Sequence, residues 1–145
     1  MIINIKKLKL NENYYNQIIE LYSTFTEFNK QIFDFNKLTT IVKNLNTNHN
    51  ILFYLENDII IGAITLIIEQ KIIHNGYKVG HIEDFVIKEE YRKKNIGSLL
   101  LNYIKLLCQE NDCYKIILNS SPLLENYYIK HGFEKKGNCM ALYLK

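Results

Sequence analysis

The stretch GHIEDFVIKEEYRKKNIGSLL, residues 80–100, decides how this chain folds. Its first part, Gly80–Ile87, is rich in β-branched and aromatic residues and predicts a strand. Its last part opens a helix near Gly97, after which apolar residues recur at helical spacing. A charged loop with three consecutive basic residues, Arg92–Lys94, joins the two. A strand, a charged loop and a helix in this order are typical of an α/β protein.

The flanking sequence continues this alternation of strands and helices. It predicts a first strand over Ile2–Leu10, helices over about 14–25 and 36–45, a hairpin that turns at Asn57–Asp58, a strand over Lys115–Asn119, a helix closed by Gly132, and last strands over Phe133–Lys136 and Met140–Leu144. The long apolar strands of the hairpin indicate a sheet that is covered on both faces. We therefore expect one α/β domain over residues 1–145, with a mixed sheet of six or seven strands and helices on both faces.

Composition excludes several classes of protein. A chain of 145 residues has the length of one domain, and 48% hydrophobic with 23% charged residues excludes disordered and fibrous proteins. The formal net charge is +3. Domains dedicated to nucleic acid usually have a stronger or more clustered basic excess. We therefore expect no nucleic-acid partner.

The cysteines predict reduced thiols, and the apolar segments predict a soluble protein. Cys108, Cys113 and Cys139 are odd in number and lack the close spacing of zinc ligands, which predicts free thiols and no metal site. The longest apolar stretch, Ile59–Ile68, is far shorter than the roughly 20 residues that span a bilayer. The N-terminus lacks the features of a secretory signal. We expect a cytoplasmic protein without a membrane partner.

The start of the helix near Gly97 is a candidate anion site. The first turn of a helix leaves backbone N–H groups unpaired and carries a partial positive charge, which favours phosphate or pyrophosphate. Arg92–Lys94 would add positive charge there. The spacing is not that of a P-loop. The alternative is an ordinary basic turn on a solvated surface.

Two further groups are candidates for acid–base chemistry. Glu83 and Asp84 interrupt an apolar strand, where a carboxylate costs free energy unless it is paired or functional. Such a carboxylate suits the acceptance of a proton from an ammonium group. Tyr128, on the last helix, is able to donate a proton to a departing thiolate. The alternatives are a structural ion pair or exposed edge for the acids and core packing for the tyrosine.

In this order, the features resemble the GNAT N-acetyltransferase superfamily. The residues that carry the resemblance are Arg-x-x-x-x-Gly at Arg92–Gly97 and Tyr-x-x-x-Gly-Phe at Tyr128–Phe133. More narrowly, GHIEDFVI, YRKKNIG, CYKIIL, YYIKHGF, KKGNCMALY and TLIIEQKIIH are similar to segments of the glucosamine 6-phosphate N-acetyltransferases. The resemblance extends from about Gly62 to the C-terminus and is weak before that point.

The resemblance implies a GNAT acyl-CoA N-acyltransferase fold in which acetyl-CoA, the co-substrate, lies between two splayed strands, here Gly80–Ile87 and Lys115–Asn119. It implies transfer of the acetyl group to the 2-amino group of glucosamine 6-phosphate, as a step toward UDP-N-acetylglucosamine. The expected cofactor contacts are Phe85, Val86, Ile87, Arg92, Lys93, Lys94, Asn95, Ile96, Gly97, Ser98 and Asn119. Asn95 stands where the superfamily pattern has its first glycine, and asparagine tolerates left-handed backbone geometry.

The same resemblance assigns the acceptor side of the reaction. Glu83, Asp84 or a water that they hold would take the ammonium proton, and Tyr128 would protonate the thiolate. The expected substrate contacts are Thr26, Lys71, Ile72, Ile73, His74, Glu83, Asp84, Phe85, Tyr114, Lys115 and Lys145. A homodimer is expected, because members of the family complete the site across a dimer interface. Tyr143 stands where some members have a phosphate-binding arginine, and we expect Lys145 to replace it.

Two other functions remain open at this point. The chain resembles GNAT enzymes in general, so another small amine is an alternative acceptor. A non-catalytic module that binds acyl-CoA is the second alternative, although such a module has no need of Glu83, Asp84 and Tyr128 together.

Overall fold

A computed structural model describes residues 1–144 of the chain. The elements are β1 (Ile2–Asn4), α1 (Glu12–Tyr22), α2 (Phe35–Asn44), β2 (His49–Glu56), β3 (Ile59–Gln70), β4 (Lys78–Ile87), α3 (Ile96–Glu110), β5 (Cys113–Leu118) and α4 (Glu125–Lys130). The five strands form one sheet in the order of the chain. Neighbours from β1 to β4 are antiparallel, whereas β4 and β5 are parallel.

The sheet is covered by helices on both faces, as the apolar strands predict. On one face, α1 and α2 pack with Phe53, Leu55 and Val86 of the sheet. On the other face, α3 and Tyr128 of α4 pack with Leu66 and Ile82. Successive strand side chains point to opposite faces, so long apolar strands supply both cores at once.

Local sequence signals set several element boundaries. The Asn11 side chain accepts a hydrogen bond from the Tyr14 N–H and begins α1, and Asp34 does the same at α2. Asn57 and Asp58 both have positive φ, which suits a tight two-residue hairpin between β2 and β3. Gly132, with φ of +85°, follows the end of α4.

Two expectations about strands are wrong. The first strand ends at Asn4 instead of Leu10, because the Asn4 side chain accepts a hydrogen bond from the Lys6 N–H and the chain turns into a short 3-10 helix, Ile5–Lys7. Residues 133–144 form neither of the two strands predicted there, so the sheet has five strands and not six or seven.

The apolar residues of the C-terminal segment explain why that prediction was made and why it is wrong. Met140, Leu142 and Leu144 alternate as in a strand, yet each is at least 86% exposed. Alternation indicates that one face is to be buried, but it does not identify the surface that buries it. Among residues 1–144, no helix is long and apolar enough to cross a membrane.

Candidate active site

The two parallel strands diverge at the centre of the sheet. The pairing of β4 with β5 runs from Lys78 opposite Cys113 to Ile82 opposite Leu118, where β5 ends. β4 continues to Ile87. The backbone of the last half of β4 is therefore open on the side where β5 has ended. An extended ligand is able to pair with that backbone as a strand would.

The open part of β4 contains a bulge. Thr65 of β3 lies opposite Glu83, but Ala63 lies opposite Val86, so β4 has one extra residue at this point. Asp84 has a φ of +48°, in the left-handed region that non-glycine residues rarely adopt. A bulge of this kind redirects the neighbouring side chains, and such strain occurs at functional sites.

The start of α3 lies beside the open edge of β4. The Arg92 Nε donates to the Ile87 carbonyl at 3.3 Å, and the Lys94 ammonium lies 4.5 Å from the Tyr91 ring centroid. Asn95 has a φ of +63°, so it adopts the left-handed conformation expected of a residue in place of glycine. Its side chain does not cap α3, which leaves the N–H groups of the first turn available to an anion.

These features fit coenzyme A. Its pantetheine arm is an extended chain of amides that requires backbone partners, as the open edge of β4 offers. Its pyrophosphate is an anion that suits an uncapped helix N-terminus beside Arg92–Lys94. Within residues 1–144, no group of three or more His, Cys, Asp and Glu side chains is arranged to hold a metal ion.

A cavity of about 330 Å³ lies between α1, α2 and the sheet. Asp84 and Thr26 both line it, so the structure brings these two predicted residues to one site. Tyr22 and Thr65 line the same cavity. Burial, together with the negative charge of Asp84, raises the pKa of Tyr22 well above its usual range, and a hydrogen bond with Thr65 counteracts this only in part. The Tyr22 phenol is therefore neutral next to Asp84.

A second cavity, of about 660 Å³, follows the outer edge of β5. It is lined by four predicted site residues, Tyr114, Lys115, Asn119 and Tyr128. Tyr128 is 8% exposed. Burial, and secondarily the nearby Tyr127, raise the pKa of the Tyr128 phenol. A raised pKa keeps the proton on the phenol, which is the form that a proton donor needs.

The predicted sugar-phosphate residues fall into two groups with different contacts. The His74 ring stacks on Tyr114 with centroids 4.3 Å apart, and the Lys115 ammonium lies 5.4 Å from the centroid of the same tyrosine. Lys71 instead forms an ion pair with Glu69 at 2.5 Å. Glu69 also binds the His81 Nε2 at 2.8 Å, and these bonds to Lys71 and His81 lower the pKa of Glu69.

Other predicted residues are less well placed. The Ile72 and Ile73 side chains are 98% and 63% exposed. Glu83 and Asp84 are both exposed, and Asp84 also lines the cavity beside Tyr22. Lys145 lies outside the described residues. Tyr143 is 87% exposed.

A side-chain network that the sequence reasoning missed joins α4 to the first turn of α3. The Ser98 Oγ lies 2.8 Å from the His131 Nε2, and the His131 Nδ1 lies 2.8 Å from the Tyr127 carbonyl oxygen. The Tyr127 hydroxyl lies near Ser98 and contacts Gly97. The sequence does indicate that Tyr127 and His131, four residues apart, lie on the same face of a helix. Their link to Ser98 depends on how the two helices pack.

Comparison with known proteins agrees with this geometry. Residues 11–140 match the family model described as an acetyltransferase (GNAT) domain. Over 135 residues the chain is 33% identical to the glucosamine 6-phosphate N-acetyltransferase of Candida albicans, with 91% of this chain and 89% of that protein covered. It is 42% identical over 85 residues to glucosamine 6-phosphate N-acetyltransferase 1 of Dictyostelium discoideum, which covers 59% of this chain and 54% of that protein.

A solved structure of an acetyltransferase is also similar to this chain. The crystal structure of glucosamine-6-phosphate N-acetyltransferase from Arabidopsis thaliana superimposes with a TM-score of 0.82 and 26% sequence identity. The superposition covers 100% of this chain and 99% of the other. The predicted fold class is therefore confirmed, apart from the number of strands.

Proposed function

The chain belongs to the GNAT acetyltransferase family, and from this premise we propose that it transfers the acetyl group of acetyl-CoA to the 2-amino group of glucosamine 6-phosphate. The observation that carries the proposal is the 33% identity to the Candida enzyme over nearly the whole of both chains. Enzymes of the GNAT family use acetyl-CoA as co-substrate. The open edge of β4 and the uncapped start of α3 offer the contacts that this molecule requires.

Acetyl-CoA would lie in the gap where β4 and β5 diverge. The backbone of Phe85, Val86 and Ile87 would pair with the pantetheine arm, and an N–H group there would polarise the thioester carbonyl. The amides of residues 93–98, aided by Arg92, would hold the pyrophosphate. Asn119, at the end of β5, would contact the cofactor or orient the amine.

The acceptor amine arrives as an ammonium group and has to lose a proton before it attacks the thioester. Glu83, Asp84 or a water that they hold takes this proton. Asp84 lines the smaller cavity together with Tyr22, although it is exposed like Glu83. Because the Tyr22 phenol is neutral, it is able to donate a hydrogen bond to the carboxylate without adding charge.

The reaction then proceeds by direct transfer in a ternary complex. The amine attacks the thioester carbonyl, and the bond between carbon and sulfur breaks. Tyr128, whose raised pKa keeps the proton on the phenol at neutral pH until the thiolate forms, gives that proton to the departing thiolate, and the second proton that the nitrogen loses as the amide forms replaces it. Much of the acceleration comes from holding the amine and the thioester together.

The phosphate of the acceptor requires cations. Lys115 and His74, both in contact with Tyr114, and Lys71 are the candidates among residues 1–144. Lys71 would have to exchange Glu69 for the phosphate. A contribution from Lys145 remains a prediction. We also propose a homodimer, supported by the exposed apolar side chains of residues 140–144 and by the outer edge of β5.

The discriminating experiment is thiol release from acetyl-CoA with three acceptors. Glucosamine 6-phosphate is expected to react far faster than glucosamine, because the phosphate contributes binding. Galactosamine 6-phosphate tests whether the sugar hydroxyls are distinguished. Release with none of the three acceptors would contradict the proposal.

A GNAT enzyme for another small amine is the second candidate. It is favoured by one observation, that Tyr143 stands where some members of the narrower family have a phosphate-binding arginine. Equal rates with glucosamine and its 6-phosphate would support it.

A further inference from the structure

The strongest unassigned feature of the molecule is the contact between the end of α4 and the start of α3. His131, the residue after the last turn of α4, contacts α3 at two points. Its Nε2 lies 2.8 Å from the Ser98 Oγ, and its carbonyl oxygen accepts a 2.7 Å hydrogen bond from the Lys105 ammonium. Ser98 and Lys105 are seven residues apart, which places them on one face of α3 two turns apart.

The direction of each hydrogen bond follows from which group has a proton to give. The Tyr127 carbonyl only accepts, so the His131 Nδ1, 2.8 Å away, carries a hydrogen. In the neutral ring the Nε2 is then an acceptor, and the Ser98 hydroxyl donates to it. The Tyr127 hydroxyl lies beside the same turn of α3, against Gly97, so Tyr127, His131 and Ser98 form a closed circuit of contacts.

The surrounding packing fixes the two rings of this circuit. The Tyr127 and His131 rings stack with centroids 4.5 Å apart. A Cβ atom on Gly97 would overlap the Tyr127 hydroxyl, and it would lie 3.3 Å from the Phe85 ring. The first turn of α3 is therefore enclosed by α4 on one side and by the bulged part of β4 on the other.

This circuit connects two parts of the proposed reaction centre. Ser98 belongs to the turn whose amides are expected to face the pyrophosphate. Tyr127 and His131 flank Tyr128, whose ring packs on Phe133 at 5.8 Å and on Tyr127 at 5.3 Å. A change in the position of α4 would therefore move the cofactor turn and Tyr128 relative to each other.

We propose that His131 is a positioning residue: through the Ser98 hydroxyl it fixes the cofactor-binding turn of α3 against the part of α4 that carries Tyr128. The inference rests on the proposed use of coenzyme A at this turn. It does not depend on the identity of the acceptor.

The test compares two variants of His131. In His131→Gln the side-chain oxygen is able to reach Ser98 and accept its hydrogen bond. In His131→Asn the side chain is too short to reach Ser98, but its amide is still able to donate to the Tyr127 carbonyl. For the asparagine variant we expect the Kd of coenzyme A, measured by calorimetry, to rise roughly 3- to 10-fold, which is the range of one lost hydrogen bond. We expect the KM of acetyl-CoA to rise in parallel and the KM of the acceptor to stay unchanged. The glutamine variant should recover most of the affinity.

A double-mutant cycle separates positioning from loss of folding. If His131 acts through Ser98, then Ser98→Ala should weaken binding of coenzyme A by a similar factor, and the double variant should be no worse than either single variant. Additive losses would overturn the proposal. So would an unchanged Kd in the asparagine variant with only a lower thermal midpoint, which would make the contact purely structural.

A measurement on the unmodified protein needs no variant to fold. Nitrogen-15 NMR of the histidine rings, at a pH where the imidazole of His131 is neutral, should show the hydrogen on Nδ1 and none on Nε2. A hydrogen on Nε2 would overturn the proposal. If the protein binds coenzyme A but acetylates none of the three acceptors, the proposed function fails and the binding cycle still tests His131. If it does not bind coenzyme A, the inference fails as well.

Discussion

The proposed cofactor side of the molecule, β4 to α4, differs sharply from the C-terminal segment, residues 133–144. On the cofactor side, a bulge, a left-handed Asn95, and the circuit of Ser98 and His131 position groups by contacts within the chain. Beyond Phe133, which packs on Tyr128, the C-terminal segment has apolar side chains in strand-like alternation, yet most of their surface is exposed. Contacts within the chain fix the geometry of the first region. The alternating apolar side chains of the second region require a further surface to bury them. The predictions below test this difference, beginning with the cofactor side.

The largest expected effect is at Tyr128. Tyr128→Phe keeps the ring that packs in the core but removes the proton donor, so kcat should fall by about 100-fold with little change in KM. Steady-state kinetics measure the change. Tyr103→Phe, on a partly exposed tyrosine of α3, is the matched control and should behave like the unmodified protein.

The pH profile gives an independent check on Tyr128. Because the pKa of Tyr128 is raised above 10.0, the donor stays protonated at neutral pH and is lost only as the pH rises through the raised value. The alkaline fall in kcat should therefore lie above pH 10 and be absent in Tyr128→Phe. An unaltered kcat in this variant would remove Tyr128 from the mechanism.

The second effect concerns the close packing around Gly97. Gly97→Ala places a methyl group against the Tyr127 hydroxyl and the Phe85 ring. Overpacking costs ~1–3 kcal/mol of folding stability. Because relief of the overlap would displace the turn proposed to bind the pyrophosphate, the Kd of coenzyme A should rise by roughly 10-fold. Calorimetric titration measures the change. The double variant with Tyr127→Phe removes the overlapping hydroxyl and should recover part of the affinity; no recovery would mean that another contact is responsible.

The difference between the two regions also explains how far the sequence predicts the structure. The strand–loop–helix unit, both hairpin strands and the helix end at Gly132 follow from local patterns, and the structure contains each of them. Left-handed Asn95 was foreseeable because asparagine accepts that geometry. These features depend on residues that are close together in the chain.

The features that the sequence did not reveal depend on contacts between distant residues. Ser98 and His131 are 33 residues apart, and nothing in either segment indicates that they touch. The place of Asp84 in a cavity with Tyr22 depends on a bulge that shifts the register against β3. The last strands were predicted from alternation, which cannot identify a pairing partner. Predicting these features requires the packed arrangement itself.

The third prediction concerns the role of the C-terminal segment. Removal of residues 137–145 should leave the unfolding midpoint within about 2 °C, because exposed side chains contribute little to the core. If a second copy of the chain covers this segment, the truncated protein should elute as a monomer from size exclusion. The KM of glucosamine 6-phosphate should rise roughly fivefold, as for the loss of one hydrogen bond from the site.

Binding of coenzyme A by the truncated protein tests whether the two regions act independently. The Kd of coenzyme A is expected to stay the same, since every residue expected to contact coenzyme A lies before residue 133. A dimer that persists with an unchanged KM would show that the segment takes no part in the partner's site. Loss of coenzyme A binding would show that the two regions are not independent.

The smallest effect concerns Glu69, which lies beside the predicted phosphate residues and outside both regions. Its pKa is lowered by hydrogen bonds from Lys71 and His81, so its carboxylate stabilises the folded state above the ordinary pKa of 4.5, and this contribution is lost as the pH falls through the lowered value. Glu69→Gln should thus reduce the thermal midpoint slightly at pH 7 and not at acidic pH, as followed by circular dichroism. Glu90→Gln, at an exposed site, is the control and should show no such dependence.

Because Glu69 holds Lys71, Glu69→Gln also frees the Lys71 ammonium. A lower KM for the sugar phosphate would support Lys71 as a phosphate ligand, and an unchanged KM would restrict Lys71 to its ion pair.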